Sequence, residues 1–137
     1  MSDKLTDMLV DHEGLRHKPY RCTAGKLTIG VGRNIEDRGI STDEAMYMLA
    51  NDIKLSRKEL SAAFPWFDKL DEVRQSVLID MHVNLGLDRL RGFRNTLALI
   101  GVGKYEAAAH EMLDSKWAGQ VGRRSQRLSR MMATGRW

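Results

Sequence analysis

Between Glu13 and Gly32 the chain leaves the helical spacing that governs almost everything after residue 40, and this stretch, EGLRHKPYRCTAGKLTIGVG, sets the fold class. A helical segment over residues 2 to 13, capped by Ser2 and carrying Leu5, Met8 and Leu9 at helical spacing, stops at Gly14. A bend containing Pro19 follows, and Thr23-Ala24-Gly25 turns the chain into Lys26 to Val31, whose β-branched residues predict a strand. A mainly helical chain with one small hairpin belongs to the α+β class, mainly α. Three reactive side chains, Glu13, Cys22 and Thr28, come near that hairpin, with eight and then five residues between them.

The pattern continues beyond this spacing. Glu13-Gly14-Leu15-Arg16, Tyr20, Gly25 and Thr28-Ile29-Gly30-Val31-Gly32 are joined by Gly92-Phe93-Arg94-Asn95-Thr96-Leu97, Ser115-Lys116-Trp117, Arg123-Arg124 and Thr134-Gly135-Arg136-Trp137. Together these residues resemble the phage T4-type lysozymes, glycoside hydrolase family 24, whose signature is Glu, eight residues, Asp or Cys, five residues, Thr. This chain carries the Cys form. The resemblance implies one lysozyme-like domain over residues 1 to 137, with a small β-hairpin lobe at about 14 to 40. A connecting helix at 41 to 63 would join it to a larger helical lobe made of 1 to 13 and 64 to 137. It also implies an endolysin that hydrolyses the β-1,4 bond between N-acetylmuramic acid and N-acetylglucosamine of peptidoglycan, with inversion and without a cofactor. In that reading Glu13 is the general acid, Cys22 and Thr28 place the attacking water, and Arg124 orients Glu13. Gly30, Asp80, Asn84, Phe93 and Trp117 fall at substrate-binding or orienting positions. Relatives carry a longer insertion after the hairpin, so a smaller lobe and a more open cleft are expected.

The chemistry also follows from the residues. A departing sugar oxygen needs a proton, which near neutral pH only a suitably tuned carboxylic acid donates. Glu13 stands at a helix end, where the dipole and burial favour the protonated acid and an arginine partner favours the carboxylate, so the balance stays open. A thiol at position 22 is a weak base, whereas a thiolate accepts from water or steadies positive charge on the sugar. Arg21 and Lys26 nearby favour the thiolate and apolar burial opposes it. A small buried cysteine with no catalytic part is the alternative.

The net charge of +4 conceals an uneven distribution. From Lys116 to Trp137 there are six basic residues and no acidic one, which leaves 16 basic against 18 acidic elsewhere. Such a tail suits a polyanion or simply solvates a helix face. A noncatalytic binder of wall polymer or nucleic acid, in which Cys22 marks lost catalysis, is therefore the reading from another class. Intramolecular attack by the muramic 6-hydroxyl, giving a lytic transglycosylase, is a third. The preferred reading expects a monomer with no nucleic-acid partner.

Metal chemistry finds no support, because the histidines at 12, 17, 82 and 110 lack paired ligand spacing and the single cysteine builds neither a zinc site nor an internal disulfide. There is no P-loop, and a thiol protease using His12 or His17 as base lacks its signature. The amino terminus has scattered charges and no apolar run of signal-peptide length, and no stretch approaches a membrane span. The expectation is synthesis in a host cytoplasm, no stable membrane insertion, and passage to the periplasmic wall through a phage holin, the last implied by the resemblance.

Elsewhere the elements are helical. Ser41-Thr42-Asp43-Glu44 has capping-box spacing and opens a helix to about Ala63, with Ala45, Met48, Leu49, Ile53 and Leu60 as buried positions. An Arg33–Asp52 pair is expected to tie the strand end to this helix, replacing the His–Asp pair of relatives. Asp71 to Leu85 is the core helix of the larger lobe. Within it Asp80 is a substrate-contact candidate, His82 a hydrogen-bonded packing residue and Asn84 a wall of the cleft. Asn95 or Thr96 caps Leu97 to Ile100, Tyr105 to Leu113 is an alanine-rich helix suited to close packing, and Arg123 to Ala133 is a final basic helix with Leu128, Met131 and Met132 on its apolar side. Trp117 reads as core packing ahead of sugar stacking.

Overall fold

The computed structural model of the chain describes residues 3–137, and the expected Ser2 cap lies outside them. Asp3 caps the first helix instead, its side chain accepting the Thr6 N–H at 2.6 Å, and α1 runs Lys4–Glu13. Gly14, at φ 77°, closes it by donating its N–H to the Val10 carbonyl. Strands β1 (Arg16–Arg21), β2 (Leu27–Gly30) and β3 (Arg33–Asn34) follow as an antiparallel sheet in the order β1-β2-β3. The helices α2 (Thr42–Ala63), α3 (Glu72–Leu85), α4 (Leu87–Arg91), α5 (Arg94–Gly101), α6 (Tyr105–Leu113), α7 (Lys116–Val121) and α8 (Arg123–Thr134) complete the chain. Eight α-helices and one small sheet among the described residues give the mainly helical α+β, lysozyme-like architecture that the sequence predicts.

Packing divides the chain into two compact units, Met1–Met48 and Leu49–Trp137, with α2 beginning in the first and ending in the second. In the first, β1 pairs with β2 so that Tyr20 faces Thr28 and Arg16 faces Gly30, with an irregularity between the two pairs. The α2 capping box forms as expected: Ser41 N–H donates to Glu44 Oε1 at 2.8 Å and Glu44 N–H donates to Ser41 Oγ at 3.1 Å. The same Glu44 takes both prongs of Arg33, Nη1 at 2.9 Å and Nη2 at 2.6 Å, so the strand end is tied to α2 through Glu44 and not through Asp52. The capping carboxylate, already fixed by Ser41, offers a fork that matches a guanidinium.

Arg33, followed by the Ser41 N–H, holds the Glu44 carboxyl at about 2, well below 4.5. A depressed folded value means that the pair's contribution to stability is complete above about 4.5 and is lost as the pH falls toward 2. Melting temperature recorded against pH should therefore drop across that interval, and Glu44→Gln should flatten the drop while lowering stability at neutral pH.

The second unit is built around α3, which buries Val73, Val77, Leu78, Ile79 and Met81 and so is apolar on more than one face, as befits a central helix. Leu60, Phe67, Leu90, Ile100, Met112 and Met132 close around it with almost no exposure. Each such side chain contributes about 1.5–3 kcal/mol of burial energy. Small residues bring α6 and α8 together: Ala108 and Ala109 are buried, and Ser129 Oγ donates to the Ala109 carbonyl at 3.1 Å. His82 is the hydrogen-bonded packing residue expected, with Nδ1 2.7 Å from Ser56 Oγ and Nε2 2.6 Å from Glu59 Oε2. Both ring nitrogens are thus satisfied inside the core.

Two expectations are corrected. Leu60 is buried on α2, but Met48 and Leu49 stand exposed and Ala45 and Ile53 are only half-buried, because helical period marks an apolar face without saying what covers it. Helix α5 starts at Arg94 without a side-chain cap, since Thr96, an expected cap, is turned into the core at 3% exposure.

Candidate active site

Glu13 is the last residue of α1, where the chain must leave the helix through Gly14. Its carboxylate rests on Gly32: a Cβ built there would stand 2.5 Å from Glu13 Oε2 and 2.8 Å from its Cδ. Gly32 also has φ +67°, a conformation that other residues adopt at a cost. The second glycine of the Ile29-Gly30-Val31-Gly32 run is therefore required twice, by its backbone and by the acid above it. Thr6, Leu9, Val10 and Val31 join Glu13 and Gly32 around a hollow of about 360 Å³.

Cys22 sits at the start of the turn between β1 and β2, its N–H donating to the Lys26 carbonyl and its carbonyl accepting from Gly25 N–H. The N–H groups of Lys26 and Ala24 point at the sulfur and hold the thiol below its ordinary range, while partial burial pulls the other way. Backbone amides, not the flanking cations, supply this effect. Arg21 is paired with Glu36 at 3.2 Å, and Lys26 with Asp37 at 3.3 Å and Glu36 at 3.7 Å. Thr28 is 2% exposed and its hydroxyl donates to the Lys26 carbonyl at 2.9 Å, with the Cys22 sulfur as its alternative acceptor. Gly30, at φ +70°, ends β2.

The remaining candidates lie in the second unit. Arg124 opens α8 and is gripped by Asp80 of α3, Nε donating to Oδ1 at 2.7 Å and Nη2 to the Asp80 carbonyl at 3.3 Å. Trp117 is buried to 4% exposure, donates its indole N–H to Asn84 Oδ1 at 3.0 Å and meets Phe93 edge-on at 5.9 Å. It is thus a core residue whose one polar atom is spent on Asn84. Phe93 and Trp117 line a concave region of about 770 Å³ that also presents Arg94, Lys116, Glu111 and Asp114.

The phage lysozyme family profile matches residues 10–133. The chain belongs to the phage lysozyme family. Among curated relatives it is similar to probable T4-type lysozyme 1 of Dictyostelium discoideum, 26% identical over 98% of this chain and 96% of that protein. It is also similar to probable T4-type lysozyme 2 of the same organism, 27% identical over 98% and 96%. The pre-baseplate central spike protein Gp5 of Enterobacteria phage T4 is 24% identical over 96% of this chain and 28% of its own length. Membership of the phage lysozyme family makes the chain a cell-wall glycoside hydrolase acting on peptidoglycan.

Two features of the hairpin unit are not legible in the sequence. The seat that Gly32 provides for Glu13 was present only as one glycine in a matching motif. The pairing of Lys26 with Glu36 and Asp37 joins residues ten and eleven places apart. Cross-strand neighbours of a turn residue are the signal that would have found it.

Proposed function

We propose that the chain is an endolysin that hydrolyses the β-1,4 bond between N-acetylmuramic acid and N-acetylglucosamine, with inversion and without a cofactor. The observation that carries this reading is the Glu13 carboxylate seated against Gly32 at the end of α1, in the unit whose hairpin cradles the Cys22 sulfur in backbone amides. Glu13 gives its proton to the glycosidic oxygen as the bond to the anomeric carbon breaks. A water held by Cys22 and Thr28 attacks that carbon from the opposite face, and its proton passes to the thiolate. Arg124, held by Asp80 at 2.7 Å, is the residue this reading assigns to orienting the acid, and Gly30, Asn84 and Phe93 are those it assigns to receiving the glycan. No helix among the described residues is long and apolar enough to cross a membrane. In this reading, which rests on the family resemblance, the protein is made in a host cytoplasm, acts as a monomer and reaches the periplasmic wall through a holin.

Replacement of the thiol tests its part. Cys22→Asp should retain lysis of outer-membrane-stripped Gram-negative walls, since a carboxylate accepts from water as a thiolate does, whereas Cys22→Ser should lower the rate by about 10²-fold or more because a hydroxyl is no base at neutral pH. Equal activity in the parent and Cys22→Ser would remove Cys22 from the mechanism.

A further inference from the structure

Lys26 stands directly across the turn from Cys22, its carbonyl accepting the Cys22 N–H at 3.0 Å, so its flexible four-carbon stem begins beside the thiol's own backbone. Its ammonium is nevertheless drawn away, with Nζ 3.3 Å from Asp37 Oδ1 and 3.7 Å from Glu36 Oε2. Glu36 is fixed for this duty. Its Oε1 accepts from the Leu27 N–H at 3.2 Å and from Arg21 Nη1 at 3.2 Å, and Asp37 is held by Asn34, whose Nδ2 donates to Oδ2 at 3.1 Å. Arg21, the other cation beside Cys22, is fastened twice, to Glu36 and to the Gly25 carbonyl at 3.0 Å. The two cations that flank the thiol in sequence, Arg21 and Lys26, are thus both held by carboxylates.

We propose that Glu36 and Asp37 park the Lys26 ammonium away from Cys22, so that a thiolate formed there presents its charge to water and sugar and not to its own lysine. The inference rests on the function proposed above and makes Lys26, Glu36 and Asp37 positioning residues. A thiolate closed into an ion pair with Lys26 would be more populated yet less useful, because its negative charge would already be neutralised and its lone pairs occupied. The backbone amides of the turn favour the thiolate without covering it.

The test is the rate of Cys22 alkylation by iodoacetamide across the pH range in which thiols titrate, on full-length parent, Glu36→Gln/Asp37→Asn, and the same pair with Lys26→Gln. Freed Lys26 should lower the midpoint in the double variant by about one pH unit, the low end expected of an opposite charge near an ionisable group. Adding Lys26→Gln should take back most of the shift, the remainder coming from Arg21 released by Glu36. Wall hydrolysis at neutral pH should fall in the double variant and recover in the triple, as expected when an electrostatic contact to the reacting centre is diverted. Asp37→Asn alone, which leaves the Leu27 contact of Glu36 in place, should shift the midpoint in the same direction by less. An unmoved midpoint in the double variant, a shift that persists in full in the triple, or a faster rate at every pH with no shift would each overturn the proposal. Alkylation needs no turnover, so the expected midpoint pattern without wall cleavage in the parent would instead count against the proposed function.

Discussion

Glu13→Gln should leave the fold intact and lower wall hydrolysis by about 10²–10⁴-fold, the range that a positioned general acid supplies. Glutamine keeps the length and shape that rest on Gly32, so the seat is still filled, but an amide has no proton to give to a leaving alkoxide. The loss should appear in the rate constant with little change in the amount of wall bound, since the proton moves only as the bond breaks. Turbidity loss of stripped walls, alongside a pull-down of the protein with the same walls, separates the two quantities. A Glu13→Gln protein that lyses walls at the parent rate would remove Glu13 from the chemistry.

Gly32→Ala should be nearly as damaging, by a different route. At φ +67° an alanine costs about 1–2 kcal/mol of backbone strain, and its methyl would stand 2.5 Å from Glu13 Oε2, which forces the carboxylate off its seat. Displacement of a catalytic group by about 1 Å is enough for about a 10²-fold loss of rate. Gly39→Ala is the control, because its φ of +65° imposes the same strain with nothing within 4 Å of the new methyl. Both variants should melt earlier by similar amounts in urea. Only Gly32→Ala should lose lysis, and equal activity in the two would mean that the position of Glu13 over Gly32 has no catalytic consequence.

The contrast between Gly32 and Gly39 also shows what is legible in a sequence of this kind. Local rules worked where the interaction is local. The Ser41–Glu44 box and the Gly14 stop of α1, whose N–H closes on the Val10 carbonyl, each involve residues only three or four places apart. Elements of five or six residues, α4 and α7, left no periodic trace long enough to read. Side-chain partners chosen across space were the least accessible. Arg33 found Glu44 because that carboxylate was already fixed by its cap, and Lys26 found Asp37 and Glu36 because β3 brings the following turn against the hairpin. His82 announced itself as a polar residue in an apolar helix, and both of its hydrogen-bond partners, Ser56 and Glu59, come from one face of α2, a turn apart.

The water-placing role of Cys22 and Thr28 holds only if the bond is cut by water, and that is read most directly from the ends of the soluble fragments released from purified Gram-negative sacculi. Fragments digested by the parent protein, reduced with borohydride and separated, should terminate in reducible muramic acid, and Glu13→Gln should release them at least about 10²-fold more slowly. Fragments ending in 1,6-anhydromuramic acid would mean that the muramic 6-hydroxyl attacks in place of the water assigned to Cys22 and Thr28, and that result would contradict the account.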